Sequence, residues 1–298
     1  QPRQEIEGNV MIISVASGKG GTGKTTVSVN LARVSPAPVQ LLDCDVEEPN
    51  CHLFLGGELK DRDVVTMPVP EVDAALCNGC GACSAICEFN AIAALKDEAL
   101  VFEELCHGCG GCTLVCPTKA ITEKDRRIGE VEVIQAGHIS LVQGRIDVGV
   151  AMAPPVIRAV KERLDGQGMA ILDAPPGTSC PVIATIKDTD LVILVTEPTP
   201  FGLHDLSLAV DMVRELAVPF GVIVNRVGIG DNRVHAFCRD EGVPIFMEIP
   251  DDRRIAEAYS RGELMVDALP EYRDLFGRLL ATVKGYDKQA RRATHADL

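Results

Sequence analysis

Apolar runs of the buried-strand kind alternate with helix-type segments along most of the chain. Residues 10–15 (VMIISV) are a short β-branched run suited to a strand covered on both faces. A helix follows to about Val34, Pro36 and Pro38 break it, and residues 39–42 supply a second strand that closes on Asp43-Cys44-Asp45. Later segments repeat the theme: a helix at 156–164, a strand at 170–172 before Asp173, a strand at 191–195, a helix near 203–216, a strand at 220–224, a helix near 233–241 and a strand at 245–249. A closing helix at about 270–286 gathers Leu275, Phe276, Leu279, Leu280 and Val283 on one face. Strands separated by helices predict an α/β fold, a doubly wound and mainly parallel sheet.

The alternation is interrupted once. At residues 67–71 the composition shifts to MPVPE, and a cysteine-dense stretch follows that contains a repeat: CNGCGACSAICEFNAI (77–92) against CHGCGGCTLVCPTKAI (106–121), offset by 29 positions throughout. Residues 126–142 then alternate as a hairpin leading back to the main body. The domain reading is therefore a discontinuous body, 1–70 and 138–298, with a small α+β module at 71–137 that includes the flanking hairpin.

Charge and cysteine usage narrow the function classes. The 298 residues carry a formal net charge of −14, which repels phosphate backbones and anionic lipid surfaces and argues against a nucleic-acid partner. No run approaches the length of apolar residues needed to span a bilayer, so stable membrane insertion is not expected. Twelve cysteines, eight of them between Cys77 and Cys116, lie in a chain whose first nine residues are polar rather than a leader. This pattern predicts a reduced, cytoplasmic protein.

Two motifs carry chemistry. Residues 18–26 (GKGGTGKTT) fall between a strand and a helix, where backbone amides and a helix N-terminus converge on phosphate oxygens. Gly18, Gly20, Gly21 and Gly23 permit close backbone approach around Thr22; Lys24 would neutralise β- and γ-phosphate charge, Thr25 would place its hydroxyl on Mg2+, and Thr26 would bond near the α-phosphate. The extra lysine, Lys19, makes the loop resemble the deviant Walker A motif of the MinD, ParA, Mrp and nitrogenase iron-protein ATPases. That resemblance implies a P-loop NTPase fold, ATP and ADP as ligands, and an ATP-dependent homodimer in which Lys19 reaches the partner's nucleotide. It further implies that Asp45, in LLDCDVEEPN (41–50), orients the attacking water, with Asp43 and Asn50 nearby. Asp173, in MAILDAPPGT (169–178), would be the Walker B carboxylate that meets Mg2+ through water. Asn225-Arg226 resembles the adenine-contacting position, and Pro250-Asp251 the purine-side loop.

The cysteines of the repeat have the spacing C-x2-C-x2-C-x3-C twice, the bacterial ferredoxin run in which the fourth cysteine serves the other cluster. The crossed sets are Cys77, Cys80, Cys83 with Cys116, and Cys106, Cys109, Cys112 with Cys87, each for a 4Fe-4S cluster. Zinc, which favours paired CxxC motifs, fits this spacing poorly. Glu88 departs from the pattern, standing where the second run has Pro117. Cys44, Cys51 and Cys238 read as small buried hydrophobes. Cys180 reads as a buried loop thiol or, alternatively, as a ligand to a cluster bridging two subunits.

Joined, the motifs describe an ATPase with an inserted two-cluster ferredoxin module. The first reading is that its nucleotide state gates electron transfer through the clusters to a protein partner. The second is a carrier or scaffold that delivers clusters or metals to apo-proteins. The third is a positioning switch of the MinD or ParA kind, for which the tail (283–298) offers Lys284, Lys288, Arg291 and Arg292 but little apolar surface.

Overall fold

The computed structural model describes residues 10–296, with side chains to residue 286. The polar first nine residues and the side chains of Lys288, Arg291 and Arg292 lie outside the described residues. Strand β1 (Met11–Ala16) leads into α1 (Lys24–Arg33), β2 (Val39–Asp43), α2 (His52–Leu55) and the long strand β3 (Glu58–Val72). The cysteine region contains α3 (Ala82–Ile86), β4 (Ile92–Leu95), β5 (Glu98–Val101) and α4 (Gly111–Val115). It returns through β6 (Ile121–Ala136) and β7 (Ile139–Ile146). Then follow α5 (Ala153–Lys161), β8 (Met169–Asp173), α6 (Cys180–Ile186), β9 (Leu191–Thr196), α7 (Pro200–Glu215), β10 (Phe220–Val227) and α8 (Arg233–Asp240). Strand β11 (Ile245–Pro250) and helices α9 (Arg253–Ser260), α10 (Met265–Ala268) and α11 (Pro270–Ala296) complete the order.

One nine-stranded sheet runs β11-β10-β9-β1-β8-β2-β7-β6-β3. The first seven strands in that order are parallel, and β6 and β3 are added antiparallel. Alternate residues of each central strand feed opposite layers. Ile13, Leu41 and Ile171 pack with α1 and with Phe276, Leu279 and Val283 of α11, whereas Ile12, Leu42 and Leu172 pack with Val156, Ile157 and Val160 of α5. This double covering is why β1, β2 and β8 are buried along their whole length. The closing helix adds Tyr272 to the expected buried face, and Leu275 is only partly covered.

The structure departs from the expected elements around the insertion. The MPVPE segment, where the composition shifts, is the end of β3, and the hairpin strand β6 begins at Ile121 rather than at 126. Pro68 and Pro70 are tolerated because β3 is the sheet edge, where an N–H missing from the outer side breaks no ladder bond. The β3–β6 ribbon runs from Glu58 opposite Gln135 to Val72 opposite Ile121, with register shifts at Leu59/Asp61 and Val65/Thr66, and carries the cysteine region at its far end. Among the described residues no helix is long and apolar enough to cross a membrane.

Candidate functional site

The glycine-rich loop leaves the carboxyl end of β1 at the sheet centre, between β8 and β9, where ligands of open α/β sheets bind. Gly21 and Gly23 take φ of +77° and +98°, a left-handed conformation that wraps the loop into α1. A Cβ at Gly23 would fall 2.5 Å from the Asn225 amide nitrogen, so loop and β10 meet here with no room to spare. Asn225 Nδ2 donates to the Thr22 carbonyl at 2.8 Å, tying β10 to the loop. The Thr22 hydroxyl is buried and has no protein partner.

Lys24 is buried at the start of α1, and burial lowers its pKa against the opposing pull of Asp173 and Asp45. Thr25 Oγ1 donates to Asp173 Oδ2 at 2.7 Å, and Ser28 Oγ, one helical turn after Lys24, donates to Asp173 Oδ1 at 2.8 Å. The Thr25 lone pairs could then accept a cation, and Asp173 is held at its end of β8. Asp43 is the organiser of the next loop: its carboxylate accepts from the backbone N–H groups of Asp45 (3.2 Å), Asn50 (2.9 Å) and Cys51 (3.0 Å). That fixes the turn on which Asp45 stands. Burial pushes the Asp45 carboxyl up to about 6, with Lys24 pulling it down and Asp173 adding to the rise. Asp43, Cys51 and Asp173 bring ligand atoms within 4.8 Å of one another, all buried under the same loop.

The remaining expected residues converge on the same rim. Arg226, with φ +58°, bonds Asp251 Oδ1 at 3.1 Å and Glu197 Oε1 at 3.2 Å. Pro250 pairs with Val227, and the Asp251 N–H donates to the Val227 carbonyl at 2.9 Å. Lys19 lies 3.5 Å from the same Glu197. Sequence reasoning missed Ser28 and Glu197 as site residues and left Cys51 a mere hydrophobe. Ser28 had a readable signal, its place four residues after Lys24; Glu197 had none, since its partners are far away in sequence.

The cysteines form two separate groups, each crossed between the repeats. One cavity is lined by Cys77, Cys80, Cys83 and Cys116; a second is lined by Cys106, Cys109, Cys112 and Cys87. Gly79 and Gly108 (φ +66° and +65°), Gly81 and Gly110 (+79° and +71°), and Asn90 and Lys119 (+52° and +55°) repeat the same left-handed turns. The fourth cysteines are treated alike, Cys87 Sγ accepting from the Ala91 N–H and Cys116 Sγ from the Ala120 N–H, both at 3.3 Å. Backbone donors aimed at thiolates around a cavity suit a polynuclear iron-sulfur group, because N–H bonds stabilise its negative charge. Glu88 lies in the turn after Cys87, and Cys87 still lines the cavity with Cys106, Cys109 and Cys112. Cys44, Cys51 and Cys238 are buried as expected, whereas Cys180 is exposed at the start of α6, against the buried-thiol alternative.

The two regions touch. The Ile146 N–H at the end of β7 donates to the carbonyl of Val46, the residue after Asp45, at 2.9 Å, and the Asp147 N–H donates to Ile128 of β6. Val46, Met67 and Cys106 belong to one apolar cluster.

Comparison with known proteins agrees with this architecture. An uncharacterized protein of Methanocaldococcus jannaschii is 31% identical over 89% of this chain and 94% of its own length. The iron-sulfur cluster carrier protein of Aquifex aeolicus is 27% identical over 90% of this chain and 65% of its own. Among solved structures, the septum site-determining protein MinD of Pyrococcus horikoshii, complexed with Mg-ADP, superposes with a TM-score of 0.55 at 22% identity, covering 92% of this chain and 96% of that one, a likeness of fold. Residues 13–265 match the model of the CobQ/CobB/MinD/ParA nucleotide binding domain. With a P-loop at the centre of a mainly parallel sheet and that match over most of its length, the chain belongs to the CobQ/CobB/MinD/ParA family of nucleotide-binding proteins.

Proposed function

We propose that this protein is an iron-sulfur ATPase of the carrier type. It binds and hydrolyses MgATP at residues 18–26, holds two 4Fe-4S clusters on the two crossed cysteine sets, and uses its nucleotide state to control cluster delivery to a client protein. The observation that carries this reading is the hydrogen bond from Ile146 to Val46, which joins the Asp45 loop to β7, the strand that pairs with β6 of the ribbon bearing the cysteines. The relative named an iron-sulfur cluster carrier favours delivery over the electron-transfer reading that the ferredoxin spacing alone puts first. The module 71–137 works within the body formed by 1–70 and 138–298, and its own small core of Cys83, Ile92 and Ile121 supports treating it as a unit.

In hydrolysis, Lys24 would neutralise phosphate charge, Thr25 would hold Mg2+, and Asp173 orients the Thr25 hydroxyl for that role. Asp45, held on its turn by Asp43, positions the attacking water and draws on its proton. Asn225, Arg226, Pro250 and Asp251 shape the base-side rim, and Lys19 acts across an ATP-dependent homodimer. When bound, the clusters would supply an iron-sulfide core that can pass to other thiolate ligands. Twelve free thiols are consistent with a reducing, cytoplasmic setting.

Electron transfer is the second reading, favoured by the four thiols available to each cluster, which leave it coordinatively complete. Anaerobic reconstitution tests the shared premise. About eight iron atoms per chain with ATP turnover are expected; turnover by a chain that retains no iron would reject the cluster half of the proposal.

A further inference from the structure

The repeat makes the two cysteine sets look interchangeable, but the fold builds different walls around them. A Cβ at Gly79 would meet the Lys96 carbonyl at 2.2 Å, whereas one at the equivalent Gly108 would meet Met67 at 2.8 Å and the Pro68 carbonyl at 3.1 Å. The first set is therefore walled by the tip of the β4–β5 hairpin and the second by β3. Strands β4 and β5 have four residues each and pair only with one another. A hairpin of that size is marginal in isolation. Strand β3 pairs with β6 along nearly its whole length within the nine-stranded sheet, and Met67 and Cys106 are buried in the apolar cluster that includes Leu42 of β2. The rims differ as well. Phe89 stacks on His107 at 3.5 Å and 7° beside the second cavity, while the positions 29 residues away, Thr118 and Asn78, line the first and have no ring to stack.

We infer that the set Cys77, Cys80, Cys83 and Cys116 is the exchangeable cluster site, opened by detachment of the β4–β5 hairpin, and that the set Cys87, Cys106, Cys109 and Cys112 is a retained site. The inference rests on the two-cluster carrier reading above. Local opening is easiest where few ladder bonds must break, and the hairpin, held outside itself by the packing of Ile92, Ala99 and Val101 against Cys83 and Ile121, has far fewer than the ribbon. Delivery from the first site is ligand exchange. Four iron-thiolate bonds to the chain break and four form to cysteines of a client apo-protein. The iron-sulfide core keeps its electrons, and the four chain thiolates take up the protons that the client thiols release.

The test uses the full chain, reconstituted anaerobically and challenged with the ferrous chelator bathophenanthroline disulfonate. Iron should leave in two phases of equal amplitude, separated at least about tenfold in rate. Cys80→Ser should remove the fast phase and Cys109→Ser should leave it. One uniform phase, or a fast phase kept in Cys80→Ser and lost in Cys109→Ser, overturns the inference. Hydrogen exchange on the unaltered chain gives an independent reading: residues 92–101 should exchange at least about tenfold faster than 63–71, and equal protection overturns it. Split phases without transfer to a four-cysteine apo-ferredoxin would defeat the carrier reading while leaving the inequivalence standing.

Discussion

Asp43 and Asp173 are registered neighbours at the carboxyl ends of the parallel strands β2 and β8, both fully buried. Burial raises both carboxyls, and the neighbouring Asp173 adds to the rise at Asp43. They divide the labour: Asp173 is taken up by the hydroxyls of the phosphate loop and helix, Asp43 by the backbone of the loop that carries Asp45. Substituting Asp43→Asn turns an amide NH2 toward backbone N–H groups and should displace Asp45. ATP turnover should fall about 10- to 100-fold with MgADP affinity within about threefold. Isothermal titration beside a turnover assay checks this, and a matching loss of affinity would place Asp43 in nucleotide binding instead.

Lys24 and Asp45 should separate binding from chemistry. Lys24→Ala should abolish nucleotide binding, whereas Asp45→Ala should keep it and lower turnover by about 10²- to 10³-fold. Unchanged turnover in either variant contradicts the role assigned here.

Gly23 and Asn225 make a paired test of the loop. In Gly23→Ala the new Cβ meets the Asn225 amide at 2.5 Å and sits on a φ of +98°, so nucleotide affinity should drop at least about 30-fold. Adding Asn225→Ala relieves the collision but not the backbone strain, so Gly23→Ala should cost less affinity in the Asn225→Ala background than in the parent, yet still cost some. A double variant that binds as well as Asn225→Ala alone would show that strain at Gly23 is immaterial.

Asp45 sets a pH dependence. Its carboxyl is pushed up to about 6, chiefly by burial, so the ionised form to which the proposal assigns the attacking water is lost on acidification, and turnover should rise through pH 6 to a plateau. The linkage sign is unfavourable for stability. The folded value exceeds the unfolded value of about 3.9, so the folded chain binds more protons between the two and loses stability as pH rises through that window. Asp45→Asn should therefore melt roughly 2–4 °C above the parent at pH 7.5 and close to it at pH 4. Scanning fluorimetry of the iron-free chain decides, and a variant that melts lower at pH 7.5 is the contrary result.

Crossed ligation is open to a single substitution. Cys87→Ser should perturb the EPR signal of the site served by Cys106, Cys109 and Cys112 and spare the other. Loss of the Cys77 site instead would mean that each run closes on its own fourth cysteine.

Much of this was legible in the residues. Apolar runs such as VMIISV and LVILV mark strands buried on both faces, and the glycine-lysine loop declares its place between strand and helix. Strand β3 was not legible, because its first half, ELKDRD, is exposed at a sheet edge and has neither an apolar face nor a turn signal. Asp43 was visible as an acid beside Asp45, but its task depends on three backbone N–H groups folding back on it. Glu197 gains meaning only when Lys19 and Arg226 arrive from distant parts of the chain. Likewise the repeat foretold two alike cysteine sets, while the difference between them comes largely from β3 and the β4–β5 hairpin, which lie almost wholly outside the repeated motif, and from the Phe89–His107 pair, which only the fold brings together.

The central claim is that nucleotide state controls cluster delivery. The most direct measurement is anaerobic transfer from the reconstituted chain to a four-cysteine apo-ferredoxin, followed by circular dichroism with MgADP and again with a non-hydrolysable ATP analogue. Transfer at rates differing at least about fivefold between the two nucleotides is expected, since smaller changes correspond to coupling below about 1 kcal/mol. Equal rates, or clusters retained in both states, would contradict nucleotide-controlled delivery.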